Sequence, residues 1–229
     1  MTPNAEPVSQ SRAAMVPDVG WSFSNGWQVL WKYFLELLLI SIVLFLFSLP
    51  TWLSEAAEHV HIGAAVLLWL FTVIYGVLLL APIEYGVAFG FLKAARLDRL
   101  DVKDIFEVFQ NWANAVLANI LVAFIVGVGI LLLIIPGIVF ACKLAFVPYI
   151  IVDRKLDAIQ AVKESWRMTN GHALTVFLVG LLAIPISLAG LLCFIVGIIP
   201  AVMWIRLAFA SLYHAVSQSA GAPPAPVAS

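Results

Sequence analysis

Charge is scarce in this chain. Only 11% of its 229 residues are Asp, Glu, Lys or Arg, 63% are hydrophobic, and mean hydropathy is +1.06. A soluble domain is about a quarter charged and about half apolar, and no fold in water could hide the apolar surface present here. Cysteine is almost absent as well. Cys142 and Cys193 both lie in apolar runs without paired CxxC spacing, which excludes a disulfide framework or a zinc ribbon and leaves them as small apolar core residues. No HExxH, GxSxG, P-loop or GxGxxG sequence occurs, so no motif points to metal-assisted hydrolysis, acyl transfer or nucleotide binding. Residues 1–20 lack an apolar stretch of about 7 to 15 residues with a small-residue cleavage site. No cleaved signal peptide is therefore expected, and insertion falls to the first span. The net charge of −1 comes from local clusters and gives no reason to expect nucleic acid as a partner.

What the chain does contain is long apolar runs. A helix needs about 20 apolar residues to cross a hydrocarbon core about 30 Å thick. Six such spans are expected, at roughly 28–49, 62–91, 112–134, 137–152, 172–190 and 194–216. The predicted fold is an all-α integral membrane bundle of about six transmembrane helices, built from tandem hairpins with interfacial amphipathic helices. It divides into a six-helix domain at 21–217 between disordered tails at 1–20 and 218–229, the second too rich in Pro and Ala to bury a core.

Basic residues set the threading. Eight of the 12 Lys and Arg fall in two polar stretches, as Lys93, Arg96, Arg99 and Lys103, then Arg154, Lys155, Lys163 and Arg167. The opposite turns carry none. The positive-inside rule makes the basic stretches cytoplasmic and puts both termini inside a bacterial inner membrane. Trp27, Trp31, Trp112 and Trp166 at the cytoplasmic ends and Trp52 at the outer end read as an aromatic belt. Within the basic stretches Ile105, Phe106, Phe109 and Trp112 are expected to share one helix face, as are Ile159, Val162 and Trp166.

The chain also repeats itself. Ile134-Ile135-Pro136-Gly137 followed by Lys143-Leu144-Ala145-Phe146 matches Ile198-Ile199-Pro200-Ala201 followed by Arg206-Leu207-Ala208-Phe209. A fainter copy, Ala81-Pro82-Ile83 with Val87-Ala88-Phe89, suggests three parallel units, each an interfacial helix plus a hairpin.

Four charges fall inside spans. Counting from the cytoplasmic ends puts Glu36, Glu84, Lys143 and Arg206 about 13 to 15 Å deep, with Lys32 one turn shallower than Glu36. Each would cost roughly 2.5 to 3.5 kcal/mol alone at a helix centre. Glu36 and Glu84 are therefore expected to neutralise Lys143 and Arg206. Such a set reads either as ion pairs that fix packing or as the lining of a transport path. In the outer loop Glu55, Glu58, His59 and His61 gather carboxylate and imidazole, but their spacing matches no established metal site, and neither a metal nor a cofactor is expected. His172 and His214 fall at the cytoplasmic interface. Gly86 and Gly90 form a GxxxG that permits close helix packing.

The order Ile135-Pro136-Gly137, Pro148-Tyr149-Ile150-Ile151-Val152-Asp153, Ala161-Val162-Lys163-Glu164-Ser165 and Gly171-His172 resembles bacterial membrane proteins of unknown function. Those proteins look related to the membrane domain attached to some glycerophosphodiester phosphodiesterases. The likeness covers about residues 100–216 and marks Pro136, Gly137, Asp153, Ser165 and Gly171. It implies a helical membrane domain and no reaction, because the metal-binding acids and histidines of the phosphodiesterase domain have no counterpart here. From local chemistry, Asp153 is expected to cap a helix beginning near Leu156, and Ser165 to bond within its own helix or to span five. The expected role is that of a non-enzymatic scaffold, assembly or envelope-maintenance protein; the alternative is a transporter or lipid-handling protein using the midplane charges. Expected partners are membrane lipid and other membrane proteins or a second copy of the chain.

Overall fold

The computed structural model describes residues 17–55, 62–193 and 197–219, and these are helical without a strand. The order is α1 (Val19–Lys32), α2 (Phe34–Glu55), α3 (Ile62–Tyr75), a π-helical turn (Gly76–Leu80), α4 (Ala81–Ala95), a 3-10 helix (Val102–Asn111), α5 (Trp112–Leu132), α6 (Ile134–Leu144), α7 (Val147–Asp153), α8 (Ala158–Met168), α9 (Ala173–Leu192) and α10 (Ile198–Ser219). Six helical stretches are long and apolar enough to cross a membrane. The chain is an all-α, multi-pass membrane bundle.

Its first span starts later than the apolar pattern suggests. Trp27 and Trp31 belong to α1, which is amphipathic, capped by Asp18 accepting from the Gly20 N–H at 3.1 Å, and separated from α2 at Tyr33. α1 is tied to α10 by Asn25 Nδ2 donating to Ser211 Oγ at 2.9 Å and Trp204 Nε1 donating to the Phe23 carbonyl at 2.8 Å. The tails are shorter than expected too, since Val19, Gly20, Gln218 and Ser219 are already helical. Residues 1–16 and 220–229 lie outside the described residues.

Helix continues from Gly63 to Ala95, 33 residues or about 50 Å, well beyond a hydrocarbon core of about 30 Å. The surplus is α4, which is almost wholly buried among the 3-10 helix, α7 and α10. Gly86 makes this possible: a Cβ there would collide with the Ile105 carbonyl oxygen, and one on Gly90 would lie 3.0 Å from Ile40 Cδ1. The GxxxG therefore serves close packing, against both the 3-10 helix and α2.

Both basic stretches occupy one end of the bundle. Arg96 meets Asp153, Lys155 donates to Gln110 at 3.3 Å, and Asn111 Nδ2 reaches the carbonyls of Ile151 and Leu156. The largest fully buried side chains, among them Phe91, Phe146, Ile150, Ile151 and Tyr213, pack at this charged end. Away from it, α3, the α5–α6 turn and the outer half of α9 leave Leu, Ile and Phe exposed. That apolar surface is what a lipid-facing bundle presents.

Two amphipathic faces differ from the α-helical reading. Residues 102–111 form a 3-10 helix, whose three-residue period puts Ile105 and Val108 inside and stacks Phe106 on Phe109 at 6.2 Å on the exposed side. The four apolar residues thus split between two faces. On α8 the exposed stripe is Ile159 and Trp166, while Ala158, Ala161, Ser165 and Met168 pack inward. Here the small residues make the contact.

The two matched segments differ in one arm. α10 runs unbroken through Arg206-Leu207-Ala208-Phe209, but its counterpart stops at Leu144 and resumes at Val147. Pro148 is the difference: it has no N–H to donate and its ring clashes with the carbonyl four residues earlier, that of Leu144.

Candidate functional site

The four midplane charges do not converge. Among the described residues no ion pair joins any two of Glu36, Glu84, Lys143 and Arg206. Glu84 is exposed in the first turn of α4, and Glu36 and Arg206 are half-buried. The Lys143 ammonium donates to Asn170 Oδ1 at 2.6 Å and sits 5.8 Å from the centroid of the Trp166 ring. The expected pairing is therefore corrected. Counting residues assumed straight, upright helices, whereas the break after Leu144 and the fold of α8 back along α6 and α7 bring the polar turn at Thr169–His172 to Lys143.

Charge pairing occurs instead at the end of the bundle, with Asp153 at its centre. Arg96 engages it through both guanidinium nitrogens, Nη1 to Oδ1 at 2.5 Å and Nη2 to Oδ2 at 2.8 Å, and Tyr213 donates its hydroxyl to Oδ2 at 2.9 Å. The carboxylate is only 5% exposed. Burial pulls the Arg96 guanidinium towards a lower pKa, but the Asp153 hydrogen bond and charge outweigh it and hold the group above its ordinary value. A carboxylate held by three such bonds, on both of its oxygens, acts as a pin between α4, α7 and α10. Asp153 does not cap the next helix. That role belongs to Asp157, which accepts from the Gln160 N–H at 2.8 Å.

A second network docks α8. Glu164 accepts from Arg154 at 2.6 Å and from Arg167 at 2.7 and 2.8 Å. The Arg167 hydrogen bonds chiefly, then Arg154, hold the Glu164 carboxyl below its ordinary range against the opposing effect of burial. Ser165 Oγ donates to the Lys143 carbonyl at 2.8 Å, and Thr169 Oγ1 to the same oxygen at 3.2 Å. Ser165 therefore bonds to the fourth apolar stretch rather than to the fifth. A third pairing, Lys93 with Asp104 at 3.1 Å and Glu107 at 3.6 Å, fastens the 3-10 helix to α4.

No family model, curated protein or solved structure matches this chain. Its residues must therefore speak through their geometry. The remaining marked positions are structural: Gly171 turns the chain at φ +85°, Pro136 lies in the first turn of α6, and Gly137 meets α5 so closely that a Cβ would lie 2.8 Å from the Ile130 nitrogen. Buried polar atoms without a hydrogen-bond partner among the described residues are Arg154 Nη2 and His214 Nδ1, next in sequence to Asp153 and Tyr213. Cys193 is exposed rather than core, and Cys142 is half-buried. Glu58, His59 and His61, with the side chain of Glu55, lie outside the described residues.

Arg96, Glu164, Thr169 and Tyr213 were missed by sequence reasoning. Arg96 stood out only as one of the basic residues; its partner Asp153 is 57 positions away, that of Tyr213 is 60 away, and Glu164 bonds Arg154 and Arg167 at 10 and 3 positions. The one usable signal was the place of Glu164 beside the marked Ser165.

Proposed function

We propose that the chain is a non-catalytic scaffold or assembly protein of a bacterial inner membrane, with both termini in the cytoplasm and its working face at the charged end. The reading rests on one observation: the Asp153, Glu164 and Lys93 pairings lock the connecting helices onto the spans as a rigid layer. The eight basic residues of that layer support the orientation. The likeness to the membrane domain of glycerophosphodiester phosphodiesterases belongs to the same proposal.

A single Cys at Val147, which is fully buried beside Lys143 and Phe146, tests it in a background with Cys142 and Cys193 changed to Ala. A scaffold with a dry core protects this thiol from a small water-soluble reagent in intact membranes. Rapid reaction would show that water enters the charged-end layer and would overturn the reading of that layer as a rigid, locked face. Lipid handling, the second reading, draws on a hollow of about 260 Å³ lined by Arg167, Asn170, His172 and Ser219 at the charged end. Tighter binding of the purified protein to vesicles with anionic lipid than to zwitterionic ones, lost in Arg167→Gln, would favour it.

A further inference from the structure

The α5–α6 hairpin turns on a single residue, Leu133, in extended conformation (φ −164°, ψ 144°). Leu131, Leu132, Leu133, Ile134 and Ile135 are 68% to 86% exposed. Residues 120–142 contain no charged, amide or hydroxyl side chain. A turn facing water would gain nothing from five bare Leu and Ile side chains in a row, because exposed apolar surface is what folding in water removes.

The other end of α6 fixes how far this tip reaches. The Lys143 carbonyl accepts from Ser165 and Thr169, so the backbone at Lys143 is level with the end of α8 and the polar turn after it. That turn faces water: the Arg167 side chain is 63% exposed, and Lys163 and Asn170 are exposed beside it. From Lys143 to Leu133 is ten residues, at most about 15 Å of helix and half of a hydrocarbon core of about 30 Å. The first half of α5 does not extend the reach, since α5 packs on α7 and α8 as well as on α6, with Ala115, Val116 and Ala118 buried. α9 differs. It runs 20 residues from the same polar turn to Leu192, about 30 Å.

In a medium without water backbone polar groups must be satisfied within the protein, and at Leu133, the one residue outside the two helices, both are. The Leu133 N–H donates to the Gly129 carbonyl at 3.1 Å, and the Gly137 N–H to the Leu133 carbonyl at 3.3 Å. Pro136 has no N–H to leave unpaired. Gly129 and Gly137 let the two helices touch.

We propose that α5–α6 is a re-entrant hairpin that enters the bilayer from the charged side, ends near the midplane with Leu131–Ile135 against lipid acyl chains, and returns to the same side. The chain then crosses four times, through α2, α3, α9 and α10, and both termini stay on one side. The inference does not depend on the scaffold reading. Single Cys residues at Leu133, Leu192 and Lys163, in the full-length chain with Cys142 and Cys193 changed to Ala, test it in two ways. An impermeant maleimide applied to each face is expected to label Lys163→Cys from one face and Leu133→Cys from neither. A bimane on Leu133→Cys is expected to be quenched most by phosphatidylcholine with a doxyl group deep in the acyl chain, and on Leu192→Cys most by a shallow doxyl. Labelling of Leu133→Cys from the face opposite Lys163→Cys, or strongest quenching there by a headgroup-labelled lipid, overturns the proposal. Leu131→Cys and Ile135→Cys carry the same two measurements should Leu133→Cys not fold.

Discussion

Asp153 shows how position decides what a charge does. Its carboxylate is buried, and removing it would strand the Arg96 guanidinium, a loss that in buried pairs costs about 3 to 5 kcal/mol. Asp153→Ala is expected to fall in that range by denaturant unfolding in micelles, while Tyr213→Phe, which removes one hydrogen bond, is expected to lose about 1 kcal/mol. Glu84 was expected to pair in the midplane, yet it is exposed and, among the described residues, in no ion pair. Glu84→Gln is accordingly expected to change stability by no more than about 0.5 kcal/mol. Glu164 adds a pH dependence. Its carboxyl is held below its ordinary value in the folded state, so the unfolded chain takes up its proton first. The stabilisation is complete above the unfolded carboxyl pKa of about 4.3 and disappears as pH falls through the lower folded value. Thermal melts from pH 7 to pH 3 are expected to show that acid loss in the wild type and less of it in Glu164→Gln.

At the scale of elements, the connecting helices owe their place to close contact as much as to charge. Gly86 lies against the Ile105 carbonyl, so Gly86→Ala must push the 3-10 helix away from α4. A loss of roughly 1 to 3 kcal/mol is expected, with faster hydrogen exchange over residues 102–111 as the local signature. No such change at 102–111 would mean that the two elements separate without cost. Helix and span existence were legible because apolar runs and polar breaks follow the 3.6-residue turn directly. The 3-10 geometry of 102–111 was not, because Ile105, Phe106, Phe109 and Trp112 fit an α-helical face as readily as two 3-10 faces. Pro148 could be seen in the sequence, but its effect on the direction of α6 and α7 depends on what packs there.

For the whole molecule, the orientation is open to direct measurement. A reporter active only outside the cytoplasm is expected to be active when fused at Glu55 and silent when fused at Lys163; activity at Lys163 would reverse the threading. The bundle is tightly packed at its charged end and apolar on its outside elsewhere, as suits a body whose far half is surrounded by lipid. The sequence alone determined the class of fold, because transfer of apolar helices out of water depends on composition and run length, which are local. It also pointed to the two basic stretches lying together, as they do at one end of the bundle, because charged side chains avoid apolar surroundings. Only the tertiary structure decided which charges meet. Arg96 with Asp153 and Lys143 with Asn170 are pairings set by helix breaks, tilts and the folding back of α8, and a distance along one helix carries no record of the direction in which its neighbour runs.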